Sequence, residues 1–231
     1  MSGISTHVAG KKSKFTQRWK WNRRAPLRWF WNLMLRFAYA TLMHLDVIGL
    51  ENVPSQGPTI VMMNHVNMTD SIVVLAALGR TMTPMAKVEA FEDWRFRLLV
   101  VTYGAIPVHR GAVDVAAIRS AVGVLENGGM ILISPEGTRS TTGGLIQGQE
   151  GLAYLATRTK AQILPVGIVG TPKLIPALLH LRRAHVSFTI GQPFTLPVTG
   201  KPSREELARM TDQAMRALAA TLPEDMRGIY K

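Results

Sequence analysis

The chain has 231 residues, 47% of them hydrophobic and 18% charged, which suits one substantial core and excludes a disordered polypeptide. A net charge of +12 points to an anionic partner, with a membrane surface, nucleic acid and acidic metabolites all admissible. The absence of cysteine excludes disulfides and any cysteine-based metal site, and leaves the redox compartment open.

The positive charge is concentrated at the start. Residues 1–36 carry nine Lys or Arg and no acid, leaving a net charge of +3 for the remainder. No secretory signal is evident, because the first apolar stretch follows a long basic lead without a small-residue cleavage pattern. Residues 27–45 come nearest to a membrane span, but Arg28, Asn32, Arg36 and His44 interrupt them. Residues 1–14 read as a basic flexible tail and 15–44 as amphipathic, membrane-binding helix. There Lys and Arg interleave with Trp19, Trp21, Trp29 and Trp31, and Arg28, Asn32 and Arg36 recur every four positions. That spacing draws one narrow polar stripe along an otherwise apolar helix. Two readings fit: a core-packing helix with a solvated edge, or an interfacial helix lying in one leaflet. Tryptophans beside cations favour the leaflet, since indoles prefer the headgroup region and cations prefer anionic lipid. Single-stranded nucleic acid is a weaker partner, because its aromatic platforms sit on a polar sheet or groove.

Residues 45–231 alternate strand-like and helix-like pieces without an internal repeat. Strands are expected at 46–50, 59–63, 84–88, 105–108, 130–134, 163–169 and 185–190, several as short continuous apolar runs. Helices are expected at 71–78, 91–101, 113–126, 151–159 and 204–221. The last opens on a capping box, Ser203 with Glu206, and Leu207, Met210, Ala214, Leu218 and Leu222 mark its buried face. The pattern predicts an α/β domain: a mostly parallel central sheet flanked by helices, with the N-terminal helical element docked on a membrane.

The chemistry-bearing residues collect where strands end. The strand at 59–63 runs into Asn64-His65-Val66-Asn67-Met68-Thr69-Asp70, at the carboxyl end where open α/β sheets place ligands. Imidazole is suited to take a proton near neutral pH, and a carboxylate on its second nitrogen fixes the tautomer. Asp70 also fits as the N-cap of the following helix, and the two roles are compatible. The strand at 130–134 runs into Pro135-Glu136-Gly137-Thr138-Arg139-Ser140. Gly137 permits an unusual backbone angle, and Arg139 offers a fork matched to phosphate. Glu136 is placed to orient an acceptor or hold the loop, and a local Glu136–Arg139 ion pair is the competing reading. Lys87 and Arg110 follow two further strand ends. Singly such cations are solvated surface; together with Arg139 they outline a phosphate pocket.

The Asn64-His65 block with Asp70, the Gly104-Ala105-Ile106-Pro107-Val108-His109-Arg110 block, the Pro135–Ser140 block and Leu164-Pro165-Val166-Gly167-Ile168 stand in one order. This set resembles the glycerolipid acyltransferase family, and within it the bacterial 1-acyl-sn-glycerol-3-phosphate (lysophosphatidate) acyltransferases, over roughly 46–190. The resemblance implies acyl transfer from acyl-coenzyme A or acyl carrier protein to the sn-2 hydroxyl of lysophosphatidate, giving phosphatidate. It implies His65 and Asp70 as a dyad without a covalent acyl-enzyme, with no metal or redox cofactor. By the same carry-over Lys87, Arg110 and Arg139 hold the acceptor phosphate, and Glu136, Gly137 and Thr138 shape its site. It also implies an N-terminal helical element that docks on the membrane. The basic lead points to an anionic bilayer, and the cytoplasmic face of the cell membrane follows because both thioester donors are kept there. One departure stands out: where many relatives carry Gly-Lys-x-Gly, this chain has Gly148-Gln149-Glu150-Gly151. A different lysolipid acceptor therefore stays open. So does a reading from another class, a non-enzymatic membrane- or nucleic-acid-binding module built on the basic N-terminus.

Overall fold

The computed structural model describes residues 25–231 apart from Ala112, Val198, Thr199 and Lys201. The tail expected over 1–14, and Trp19 and Trp21 with their neighbouring cations, lie outside the described residues. In chain order come α1 (Ala25–Leu42), β1 (Met43–Ile48), β2 (Thr59–Met63), α2 (Asp70–Leu75), β3 (Thr83–Lys87), α3 (Glu89–Glu92) and α4 (Trp94–Tyr103). Then follow β4 (Ile106–Val108), α5 (Val115–Glu126), β5 (Met130–Ile133), α6 (Gly151–Thr159), β6 (Gln162–Val169), α7 (Leu174–Leu179), β7 (Ala184–Ile190) and α8 (Arg204–Ala219).

The strands form one sheet in the order β1-β7-β6-β2-β5-β3-β4. Neighbours are parallel except β6 and β7, which run antiparallel, so the expected mostly parallel α/β sheet is present. β2 lies at its centre with all five residues buried. Ile60 and Met62 point into a core shared with α5, α6 and α8, while Val61 and Met63 point into one shared with α1, α2, α4 and α7. A strand covered on both faces has no polar side to show, which is why it reads as an unbroken apolar run. At the amino end of the sheet, Arg80 ties the central strands together. Its guanidinium donates to the carbonyls of Pro54, Gly57 and Gly128 and to the Thr59 hydroxyl.

Several boundaries differ from the sequence pattern for local reasons. β1 starts at Met43 rather than 46, because Met43 is buried and pairs with Ala184. It stops at Ile48, where Gly49 adopts φ 80° and a Cβ would meet the Ile190 carbonyl oxygen. His44 is therefore a strand residue, not the end of the helix. The helix expected at 91–101 is two helices, broken at Asp93, whose extended backbone lets its carboxylate cap Arg95 N–H. The helix expected from 113 begins at Val115 because Asp114 is its N-cap, accepting from Ala117 N–H. The helix expected from 71 begins at Asp70 and has six residues. α7 was not foreseen. Its Pro176 hides the pattern, yet falls in the first turn, where a missing N–H leaves no bond unmade.

α1 turns polar side chains inward and carries a row of apolar ones outward. Arg28 is buried, with Nε donating to the Tyr103 carbonyl (2.7 Å) and Nη2 to Thr83 Oγ1 (3.3 Å). Asn32 Oδ1 accepts from Tyr103 OH (3.0 Å), and Arg36 Nε donates to Ala76 O (3.3 Å). Trp29, Phe30, Leu33, Met34 and Phe37 are exposed. Arg28 and Asn32 thus turn toward the protein and one apolar face looks outward, while Trp31, Leu35 and Tyr39 pack on the core and Arg36 stays exposed, so α1 has both a core-packing face and an outward apolar face. Among the described residues no helix is long and apolar enough to cross a membrane.

Candidate active site

β2, β3, β4, β5 and β6 run parallel, so their carboxyl ends open on one side of the sheet. Asn64, one step past β2, forms a reciprocal pair with the Ile168 backbone: Nδ2 donates to its carbonyl (3.0 Å), and Oδ1 accepts its N–H (2.8 Å). The side chain thus extends the β2–β6 pairing and fixes the exit direction of the next residue, His65.

His65 Nδ1 lies 3.0 Å from Asp70 Oδ2. The same carboxylate oxygen accepts Val66 N–H and Asn67 N–H, both at 2.7 Å, and Oδ1 accepts the Thr171 hydroxyl. Asp70 is fully buried, and a buried carboxylate is tolerable only when paired and hydrogen-bonded. Four donors meet that need. Asp70 is the first residue of α2 and its carboxylate reaches back into the preceding loop; the N-cap position belongs to Thr69, so the expected capping role is corrected. With Nδ1 committed to Asp70, Nε2 is the ring nitrogen left for chemistry. The His65 side chain is 13% exposed.

The turn after β5 grips the His65 backbone from both sides. Glu136 Oε1 accepts His65 N–H (3.0 Å), and Ser140 N–H donates to the His65 carbonyl (2.7 Å). Glu136 Oε2 accepts Ile146 N–H (3.1 Å), so the carboxylate serves two backbone donors and is not the partner of Arg139. Burial pushes its pKa up, against the lowering pull of the Ile146 and His65 N–H groups. Gly137 takes φ 67° at the tip of this turn. Thr138 and Arg139 are exposed beside it.

These elements border a cleft of about 1370 Å³. His65, Lys87, Arg110, Glu136, Gly137, Thr138 and Arg139 all line it, and Asp70 sits behind His65. Lys87, Arg110 and Arg139 are exposed, and no side-chain hydrogen bond or close ion pair to other described residues engages them, although the Lys87 charge helps to lower the Asp93 pKa; their charge can face an anion. Between α2 and α4 the wall is apolar, with Ile72, Leu75, Leu99, Val100 and Tyr103. The departure noted at 148–151 falls on the cleft wall, where Glu150 pairs with Arg204 (3.5 Å). The arrangement can hold an anionic headgroup, seat an apolar chain and offer a base between them. Among the described residues no group of three or more His, Asp or Glu is placed to hold a metal ion.

Sequence reasoning missed Thr171, which reaches Asp70 from 101 positions away and carries no local signal. It also missed a second pair with the spacing of the first: His109 Nδ1 lies 2.8 Å from Asp114 Oδ2, also lining the cleft. That repeat of spacing was readable.

A family model described as Acyltransferase matches residues 44–169, just over half of the chain. Among similar proteins, a chloroplastic 1-acyl-sn-glycerol-3-phosphate acyltransferase of Arabidopsis thaliana is 28% identical over 139 residues, 57% of this chain and 38% of its own. A 1-acyl-sn-glycerol-3-phosphate acyltransferase of Borreliella burgdorferi is 29% identical over 127 residues, 54% of this chain and 51% of its own. The aligned part thus spans between about a third and a half of these relatives. The crystal structure of the 1-acyl-sn-glycerophosphate acyltransferase of Thermotoga maritima shares the fold, with a TM-score of 0.66 at 24% identity, covering 94% of this chain and 86% of that one.

Proposed function

The chain belongs to the acyltransferase family, and we propose that it moves a fatty acyl group from a thioester donor to the sn-2 hydroxyl of lysophosphatidate, giving phosphatidate. The observation that carries this reading is the buried His65–Asp70 pair opening on a cleft rimmed by Lys87, Arg110 and Arg139.

The acceptor's phosphate sits among the three cations, in charge-assisted contact with the arginine forks. Its hydroxyl then meets His65 Nε2. As the hydroxyl oxygen bonds to the thioester carbonyl carbon, Nε2 takes the proton, and Asp70 stabilises the imidazolium through Nδ1–H. Collapse of the tetrahedral species breaks the carbon–sulfur bond, and the leaving thiolate recovers the proton from Nε2. Atoms balance with two substrates, and no acyl-enzyme forms. Glu136 and Ser140 act through the His65 backbone, which makes them positioning residues. The donor is acyl-coenzyme A or acyl carrier protein.

The outward apolar face of α1 supports attachment to one leaflet of the cell membrane, peripheral or monotopic, with the donor supplied from the cytoplasmic side. The basic lead before it supports an anionic surface. A second reading of the acceptor rests on the Glu150–Arg204 pair: a carboxylate on the cleft wall suits a lysolipid with a larger headgroup that carries a cation or a hydroxyl. Turnover by the full chain, with labelled acyl-coenzyme A and acyl carrier protein against lysophosphatidate and lysolipids of larger headgroup, separates the two. Preference for lysophosphatidate is expected; no ester product with any acceptor would leave a binding module as the better account.

A further inference from the structure

A second apolar surface lies on α7 and the turn after it. Ile175, Leu179 and Leu181 are exposed there, Leu181 by 98%. Leu181 also has φ 54°, a left-handed backbone that a leucine rarely adopts. Single exposed leucines need no explanation. Three on one short helix and its turn, the outermost in a strained backbone, are left uncovered by the described residues.

The setting is basic. Residues 170–185 contain Lys173, Arg182 and Arg183 and neither Asp nor Glu. Arg183 is used internally: its Nη2 donates to the carbonyls of Ala40 and Met43, each at 2.7 Å. Those bonds tie the turn to the carboxyl end of α1, and α1 and α7 cover the same face of the sheet. Lys173 and Arg182 stay exposed.

We propose that this turn is a second foot by which the protein docks on an anionic lipid leaflet, with Leu179 and Leu181 among the acyl chains and Lys173 and Arg182 at the headgroups. An apolar tip flanked by cations matches a layer that is apolar inside and anionic at its surface. A second copy of the chain would instead bring the same positive charge against itself. The foot adds to the docking through α1 proposed above, and binding it requires no turnover.

The chain has no cysteine, so Leu181→Cys carrying a polarity-sensitive fluorophore reports on this site alone. Its emission should shift to the blue with phosphatidylcholine vesicles containing phosphatidylglycerol, and much less with phosphatidylcholine alone. The same label at Glu205→Cys, on α8 across the sheet, should stay aqueous. The double variant Leu179→Ser, Leu181→Gly should bind the anionic vesicles about tenfold more weakly. Its melting temperature should not fall, since glycine relieves the left-handed backbone. Unchanged binding with an unshifted label overturns the proposal. So does a vesicle-free blue shift that grows with protein concentration, which means copy-to-copy contact. A lowered melting temperature also overturns it, because it means the leucines contribute to the fold and are not free to dock. Protein that binds through this turn but turns over no lysolipid would keep the foot and remove only the catalytic reading.

Discussion

Two histidine–aspartate pairs stand at the ends of parallel strands in this chain, His65–Asp70 after β2 and His109–Asp114 after β4. Each aspartate follows its histidine by five positions and meets its Nδ1; Asp70 also takes the Val66 and Asn67 N–H groups, and Asp114 the N–H of His109 itself. They differ in what surrounds them. Asp70 is fully buried, all its partners belong to the loop or to Thr171, and its histidine is gripped by Glu136 and Ser140. Asp114 spends one oxygen capping α5, and His109 is 72% exposed. Spacing alone makes a contact. Burial, a committed carboxylate and a clamped backbone are what suit the first contact to the proposed role of a preorganised base.

The sharpest way to break this distinction is to remove each histidine. His65→Ala should lower turnover by ~10²–10⁴, the range for a positioned base, whereas His109→Ala should stay within a few-fold of the parent enzyme. Equal losses, measured on proteins with matching circular dichroism, would show that spacing mattered and burial did not. Removing the carboxylates should separate the pairs by kind of effect. Asp70→Asn should reduce turnover on the order of a hundredfold or more, since the tautomer is no longer fixed. Asp114→Ala should instead cost about 1 kcal/mol of stability through the lost helix cap, read by chemical denaturation, with turnover little changed.

The cations come next in size. Arg110→Ala and Arg139→Ala should each weaken lysophosphatidate use by roughly ten- to a hundredfold, the range for a lost charge-assisted contact. Acceptors without a terminal phosphate should be affected much less, and an equal loss on both classes would reduce these residues to loop supports. The smallest effect concerns the clamp. The folded protein holds the Glu136 proton more tightly than the unfolded chain, because burial raises its pKa. Its contribution to stability is full below the unfolded value and declines as pH rises through the folded one. Glu136→Gln should therefore flatten the pH dependence of the melting temperature above the ordinary carboxylate range. It should also cost about 1 kcal/mol throughout, because an amide satisfies one of the two N–H donors.

The central strands were readable in the sequence because burial on both faces leaves only apolar residues, as in β2. The His65–Asp70 contact and the 135–140 turn were readable because each is local, a few residues close in the chain. What escaped was long-range or directional. Thr171 reaches Asp70, and Ser140 reaches His65, across loops whose closure no local pattern encodes. Periodicity located the stripe of Arg28, Asn32 and Arg36 but not the side it faces, since a polar stripe has the same period whether it meets water or Tyr103. α7 was masked by its proline.

The outward face of α1 has a thermal consequence. Among the described residues Trp29, Phe30, Leu33, Met34 and Phe37 are exposed, and they would leave water in the proposed docking. Moving apolar surface out of water lowers the heat capacity, and the driving force is entropic near room temperature, so it weakens on cooling. Attachment should therefore loosen in the cold and tighten on warming, opposite to a purely polar contact. Membrane fractionation on ice would then recover less of the protein than fractionation at growth temperature.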